Sequence, residues 1–140
     1  MAQKTSNKSN GSRFEQELAE HLSNSGAWVH VLQQNKAGQP ADLIVISRVH
    51  RALIDCKVIS GHYGFRMSRI EENQRLAMTR FYERTGSPGW FAFKLPDGEI
   101  RMVSAITLFS DIYSNDKSIP EDEIKENFYT LGEYVRWYIL

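Results

Sequence analysis

Two carboxylates and one ammonium sit at the ends of two short apolar runs. Asp42 opens Leu43-Ile44-Val45-Ile46, and Asp55 and Lys57 lie near the close of Arg51-Ala52-Leu53-Ile54-Asp55-Cys56-Lys57-Val58. Side chains alternate faces along a strand, so Asp55 and Lys57 point one way and Cys56 points the other. Charges seldom end a buried strand unless they are paired or working. Hard oxygen ligands of this kind suit Mg²⁺, and Mg²⁺ beside a phosphate suits hydrolysis of a phosphodiester. Asp42 and Asp55 are the candidate ligands, and the backbone carbonyl of Cys56 is a third. Lys57 would orient the attacking water or stabilise the negative charge that develops. Taken alone, Asp-Xaa-Lys also fits a surface salt bridge at a strand end. The second acid, opening the preceding run, favours the chemical reading.

The elements that must position these groups can be placed from pattern. Residues 1–11 are polar and read as a flexible arm. Ser12-Arg13-Phe14-Glu15 has the form of a capping box, with Phe14, Leu18 and Leu22 as the buried stripe of a helix ended by Gly26. On this reading Glu15 caps its helix. Ala27 to Gln33 reads as a strand, and residues 35–40 form a loop carrying Lys36. Asp42 to Ser47 is a second strand, expected to be buried on both faces, and it forms a hairpin with Arg51 to Val58. A glycine-containing loop over 60–68 precedes a helix over roughly 69–84, on which Ile70, Gln74, Ala77 and Phe81 share a stripe. Trp90 to Leu95 and Glu99 to Val103 flank a Pro96-Asp97-Gly98 turn. Leu108 to Tyr113 is expected as a short helix, and the aromatic end from Phe128 as a last helix. This order predicts an α/β fold, a mixed sheet with helices on its faces.

Composition bounds the rest. The chain has 140 residues, 41% hydrophobic and 24% charged, as expected of one globular domain. No apolar run approaches the ~20 residues of a membrane span, so no membrane partner is expected. A single cysteine excludes a disulfide framework within the chain and a multi-thiolate zinc site, and the absence of a signal-like start points to the cytoplasm. Net charge is zero, but basic residues dominate the first two thirds and acids the end. That asymmetry favours an anionic ligand at the body. His50 and His62 read as surface residues, His21 and His30 as partly buried. Trp28, Phe65, Trp90 and the aromatic C-terminus are either interface or core.

Four stretches resemble successive motifs of a known superfamily: Gly11-Ser12-Arg13-Phe14-Glu15, Gln39-Pro40-Ala41-Asp42-Leu43, Ile54-Asp55-Cys56-Lys57 and Glu72-Asn73-Gln74. Together they resemble the PD-(D/E)XK nucleases, and within them the Holliday junction resolvases of the archaeal and RecU-like types. The resemblance spans roughly Gly11 to Val103. It implies a restriction-endonuclease-like mixed central β-sheet flanked by α-helices. It also implies a nuclease domain over 12–140, with its core at 12–103 and an extension at 104–140. The implied site is Glu15, Asp42, Asp55, Lys57 and Gln74, with Mg²⁺ as cofactor and Mn²⁺ able to substitute. The implied partner is branched DNA, cut in recombination and repair by a two-fold symmetric homodimer. Lys4, Lys8, Arg13, Lys36, His62, Tyr63, Arg66 and Arg69 are the candidate DNA contacts, mostly to phosphates. Two features depart from the archaeal pattern: Asp55 stands where those enzymes typically carry Glu, and the loop before Asp42 lacks their serine. The superfamily also cuts duplex ends, mismatches and specific sites, and a non-catalytic binding module could keep the fold. A module without activity would usually have lost an acid or the lysine, and all three are present.

Overall fold

The computed structural model describes residues 7–33, 38–61, 64–113 and 117–140, with side chains from Gly11 onward. In chain order the elements are α1 (Asn7–Asn24), β1 (Trp28–Val31), β2 (Leu43–Ile46), β3 (Arg51–Val58) and β4 (Phe65–Arg66). A 3₁₀ turn (Met67–Arg69) leads to α2 (Glu72–Thr85), then β5 (Trp90–Lys94), β6 (Ile100–Ser104) and α3 (Ala105–Leu108). The chain ends with β7 (Ser118–Ile119), α4 (Glu121–Asn127), β8 (Tyr129–Thr130), α5 (Leu131–Tyr134) and a π-helical turn (Val135–Ile139).

Six strands form one mixed sheet in the order β1-β2-β3-β5-β6-β8. Within it β3 and β5 run parallel, from Ile54 beside Trp90 to Val58 beside Lys94, and the other neighbours are antiparallel. A parallel pair needs a crossover, and α2 provides it. Each face of the sheet carries its own core. On one side Phe14, Leu18 and Leu22 of α1 meet Leu43, Ile54 and Trp90. On the other Met78 and Ile70, on and before α2, meet Leu53, Phe91 and Phe93. The alternation of β3 decides which face each residue serves: Ile54 and Cys56 turn to α1, whereas Leu53 turns to α2. A second, two-stranded sheet pairs Phe65 of β4 with Ile119 of β7. Gly64 permits it: its φ is +75°, and a Cβ there would lie 2.0 Å from the Ile119 carbonyl oxygen.

Several local expectations give way. The first helix begins at Asn7, so residues 7–11 are helical rather than part of a flexible arm, and Glu15 does not cap its helix. Once nucleated by its buried stripe, a helix extends at one hydrogen bond per residue, so a plausible internal cap need not stop it. The loop over 60–68 contains β4 and the 3₁₀ turn, and α2 starts at Glu72, three residues later than expected. The expected helix at 108–113 lies instead at Ala105–Leu108, where the Ser104 hydroxyl accepts the Thr107 amide as a cap. The aromatic end is a strand residue pair before it is a helix, because Arg101 and Met102 of β6 still offer an edge to Thr130 and Tyr129. In β2 only Leu43 and Val45 are fully buried, since α2 does not reach Ile46, which is 45% exposed. His21 and His30 are exposed. Phe65, Trp90 and Tyr134 are core, while Trp28 and Trp137 face solvent.

Candidate active site

Among the described residues only four polar or charged side chains are buried, and three of them are Glu15, Asp42 and Asp55. Glu15 belongs to the inward stripe of α1, between Phe14 and Leu18. Asp42 precedes β2, where the β2–β3 ladder ends. Its Oδ2 accepts the Cys56 amide at 2.7 Å, so a side chain continues the ladder that the backbone has left. A residue's N–H and C=O leave a strand on the same side, so the Cys56 carbonyl also points to this edge. The Cys56 side chain packs with the α1 core, as its parity requires.

Asp55 and Lys57 stand on the opposite face, toward α2. Lys57 Nζ lies 3.0 Å from Asp55 Oδ2, 3.3 Å from Gln74 Oε1 and 3.5 Å from the Arg69 carbonyl oxygen. Gln74 is the hub of this side. Its Nε2 donates to Asp55 Oδ1 at 3.0 Å, while its Oε1 accepts from Lys57 and from the Glu71 amide at 3.2 Å. With the amide held at both ends, its orientation is fixed. A polar cleft of about 160 Å³ opens over these groups, lined by Asp42, Asp55, Gln74, Asn73, Glu71 and Gly38.

The electrostatics are those of acids crowded out of water. Burial, then the charge of Asp42, raises the Glu15 carboxyl from 4.5 to about 7. Burial also raises Asp55 to about 7, against the pull of Lys57. The Lys57 ammonium is the one group that Asp55 Oδ2 faces among the described residues. Three carboxylates facing one ammonium leave an excess of negative charge that a divalent cation would balance. Among the described residues no three His, Cys, Asp or Glu side chains close around an ion by themselves. Mg²⁺ typically takes one or two carboxylates and completes its shell with water and phosphate, and Asp42 and Asp55 are two such carboxylates. The donor set therefore fits such an ion.

The structure brings together Glu15, Asp42, Asp55, Lys57 and Gln74, the five residues singled out in sequence, with the Cys56 carbonyl at the same edge. Of the expected DNA contacts, Arg13 and Arg66 are exposed. Arg69 is turned inward as well as exposed: its guanidinium donates to the Val58 carbonyl at 3.2 Å and lies over the Phe65 ring. Burial lowers its pKa. Lys4, Lys36, His62 and Tyr63 lie outside the described residues, as does the Lys8 side chain. The sequence reading missed the Arg69 carbonyl and the Glu71 amide. Both act through backbone atoms, which no residue type announces.

The sequence profile of one family, described as archaeal Holliday junction resolvase (Hjc), matches residues 6–131. The chain belongs to that family. This resolvase is accordingly a metal-dependent endonuclease that acts on Holliday junctions. Among solved structures, Hjc of Archaeoglobus fulgidus, a Holliday junction resolvase from an archaeal hyperthermophile, is similar with a TM-score of 0.65. That match covers 94% of this chain and 99% of the other at 17% identity, a likeness of fold. No curated protein matches. The resolvase's mixed sheet flanked by helices is the fold of that neighbour. Among the described residues, no helix is long and apolar enough to cross a membrane.

Proposed function

We propose that this resolvase cuts four-way DNA junctions at the cleft between β2, β3 and α2, with Mg²⁺ held by Asp42, Asp55 and the Cys56 carbonyl, and that Mn²⁺ can replace it. The observation that carries the assignment is the crowding of three buried acids around a single ammonium, with Asp55 Oδ2 facing only Lys57. A fold has no structural use for such crowding, which is tolerable when a cation is present. An ion bound there would act as a Lewis acid, offsetting phosphate charge and lowering the pKa of a water so that its deprotonated form could attack.

The chain's own residues do the rest. Asp42 is fixed by the Cys56 amide, so its second oxygen has one direction left to face. Gln74 locks Asp55 through Oδ1, leaving Oδ2 for the ion. Lys57 has three contacts, and the longest, at 3.5 Å to the Arg69 carbonyl, is the one it surrenders most easily. It then orients the attacking water or faces the phosphate oxygen, still steered by Asp55 and Gln74. Glu15 reaches the same surroundings from α1, where burial and the charge of Asp42 favour its protonated form. Exposed Arg13 and Arg66, with Lys4, Lys8, Lys36, His62, Tyr63 and Arg69, supply backbone contacts around this centre. The enzyme works as a homodimer in the cytoplasm, because symmetric paired nicks need two centres related by a two-fold axis.

The test compares a four-way junction, a linear duplex and a single strand of matched sequence, each with Mg²⁺ and with EDTA. Paired nicks in the junction alone, abolished by EDTA, support the reading. Cleavage of duplex alone refutes it. Asp55→Asn and Lys57→Ala are expected to abolish cleavage while junction binding in EDTA persists. A variant that cuts at the wild-type rate removes its residue from the site.

A further inference from the structure

A larger groove lies on the α1 side of the same sheet end. It has a volume of about 450 Å³ and runs between α1 and the ends of β3 and β5, bounded by Arg13, Phe14, Glu17, Val58, Lys94 and Leu95. Its place along the chain is telling. Arg13, Phe14 and Glu17 flank Glu15, and Val58 follows Lys57. The groove and the acidic cleft therefore lie on either side of the last residues of β3, within a few residues of each other along the chain.

The lining has the character a sugar–phosphate backbone requires. Phe14, Val58 and Leu95 make an apolar floor, and two cations stand at the rim. Arg13 is exposed and makes no ion pair among the described residues. Lys94 points toward α1, with Nζ 6.0 Å from the centre of the Phe14 ring. Both oxygens of Glu17 accept from it, at 2.7 and 2.8 Å. This pair is peculiar in its setting. The Lys94 side chain is 25% exposed and Glu17 47%, so Glu17 is the more solvated partner and can swing away while the lysine stays in the groove. A carboxylate presenting two oxygens to an ammonium imitates phosphate.

We propose that this groove seats the DNA backbone next to the cleaved linkage, with Lys94 and Arg13 on its phosphates. Glu17 holds Lys94 as an internal substitute for phosphate until DNA displaces it. The inference rests on the assignment of the acidic cleft as the cleavage centre. Lys94 and Glu17 are positioning residues: neither touches the reacting atoms. The arrangement predicts opposite signs for the two halves of one salt bridge. Loss of Lys94 removes a phosphate contact, whereas neutralising Glu17 removes a competitor and strengthens binding.

The experiment measures binding of a fluorescent four-way junction to wild type, Lys94→Ala and Glu17→Gln, by anisotropy in EDTA across a salt series. Thermal midpoints report on folding. Lys94→Ala is expected to weaken binding about fivefold or more and to reduce the slope of log K against log salt by about 0.9, the release of one phosphate's counterions. Glu17→Gln is expected to tighten binding about threefold to tenfold with the slope kept or steepened. If both variants weaken binding alike, the pair is a structural tie and the proposal fails. It also fails if Lys94→Ala binds with wild-type affinity and slope. Should either failure occur while the wild type still nicks the junction with Mg²⁺, the cleavage centre stands and only the groove is refuted. A wild-type chain that does not bind the junction overturns both.

Discussion

Replacing Glu15 with glutamine should stabilise the metal-free protein at pH 8 and inactivate it. Glu15 ionises near 4.5 in the unfolded chain and near 7 when folded. Between these values the folded state holds a proton that the unfolded state has released. Stability is therefore full below about 4.5 and is lost as pH rises toward 7. Fully developed, a displacement of that size corresponds to about 3 kcal/mol. Part of it is shared with Asp42, so about 2 kcal/mol is the fair expectation for one substitution. In a domain of this size that is an increase of about 6 °C in melting temperature. Glutamine keeps the shape, carries no charge and can donate to Asp42. The assay is thermal unfolding of wild type and Glu15→Gln in EDTA at pH 4.5 and pH 8, with the difference between proteins read at each pH. Taking the difference matters because His50 contributes an opposite slope common to both. The variant should gain about 6 °C at pH 8 and almost nothing at pH 4.5. An equal gain at both values, or a loss at pH 8, refutes the claim that Glu15 is held against its electrostatic preference.

Other outcomes follow from the same geometry. Mg²⁺ should raise the melting temperature of the wild type more at pH 8 than at pH 5.5, because protons compete for Glu15 and Asp55 at the lower value; a pH-independent shift would place the ion elsewhere. Gln74→Ala removes the partner of both Asp55 and Lys57, and single-turnover cleavage should fall about a hundredfold with junction affinity in EDTA nearly unchanged. Gly89→Ala should destabilise by about 1–3 kcal/mol in denaturant titration, since a Cβ there would lie 1.9 Å from the Met78 sulfur. His50, 2.8 Å from the Tyr134 hydroxyl and lowered by burial to about 4, contributes stability above about 6.5 that fades as pH falls toward 4. His50→Gln should flatten that acid limb of the unfolding curve.

The residues proposed to carry the chemistry were legible because they violate their surroundings. Asp42, Asp55 and Lys57 stand at the ends of apolar runs, and a salt bridge, the bland account of Asp55 and Lys57, leaves Asp42 unexplained. Glu15 was harder. It lies on the inward stripe of α1 together with Phe14 and Leu18, but an apparent capping box offered it an innocent explanation, and only the earlier helix start removes that. His50 directly follows the exposed Val49 in a tight turn, and its local sequence reads as surface. The aromatic rings that bury it, Trp90, Tyr134 and Tyr138, arrive from forty or more residues away. The same distance hides β4 and β7, two-residue strands with no periodicity of their own, which pair across more than fifty positions. Met78 escaped the predicted stripe of α2 because its depth is set by the absent side chain of Gly89, a complementarity that only the assembled fold displays.

Lys57 is held by an amide from α2 and a carbonyl from the turn before it, and its strand is completed only when β5 aligns beside it. During synthesis, residues 42–57 leave the ribosome well before residues 69–94. A nascent chain that has exposed both acids and the lysine thus still lacks Gln74 and the Arg69 carbonyl, which complete their alignment. Cleavage is therefore expected only once the crossover has closed. The same dependence means that a truncated chain ending before β5 should bind and cut nothing.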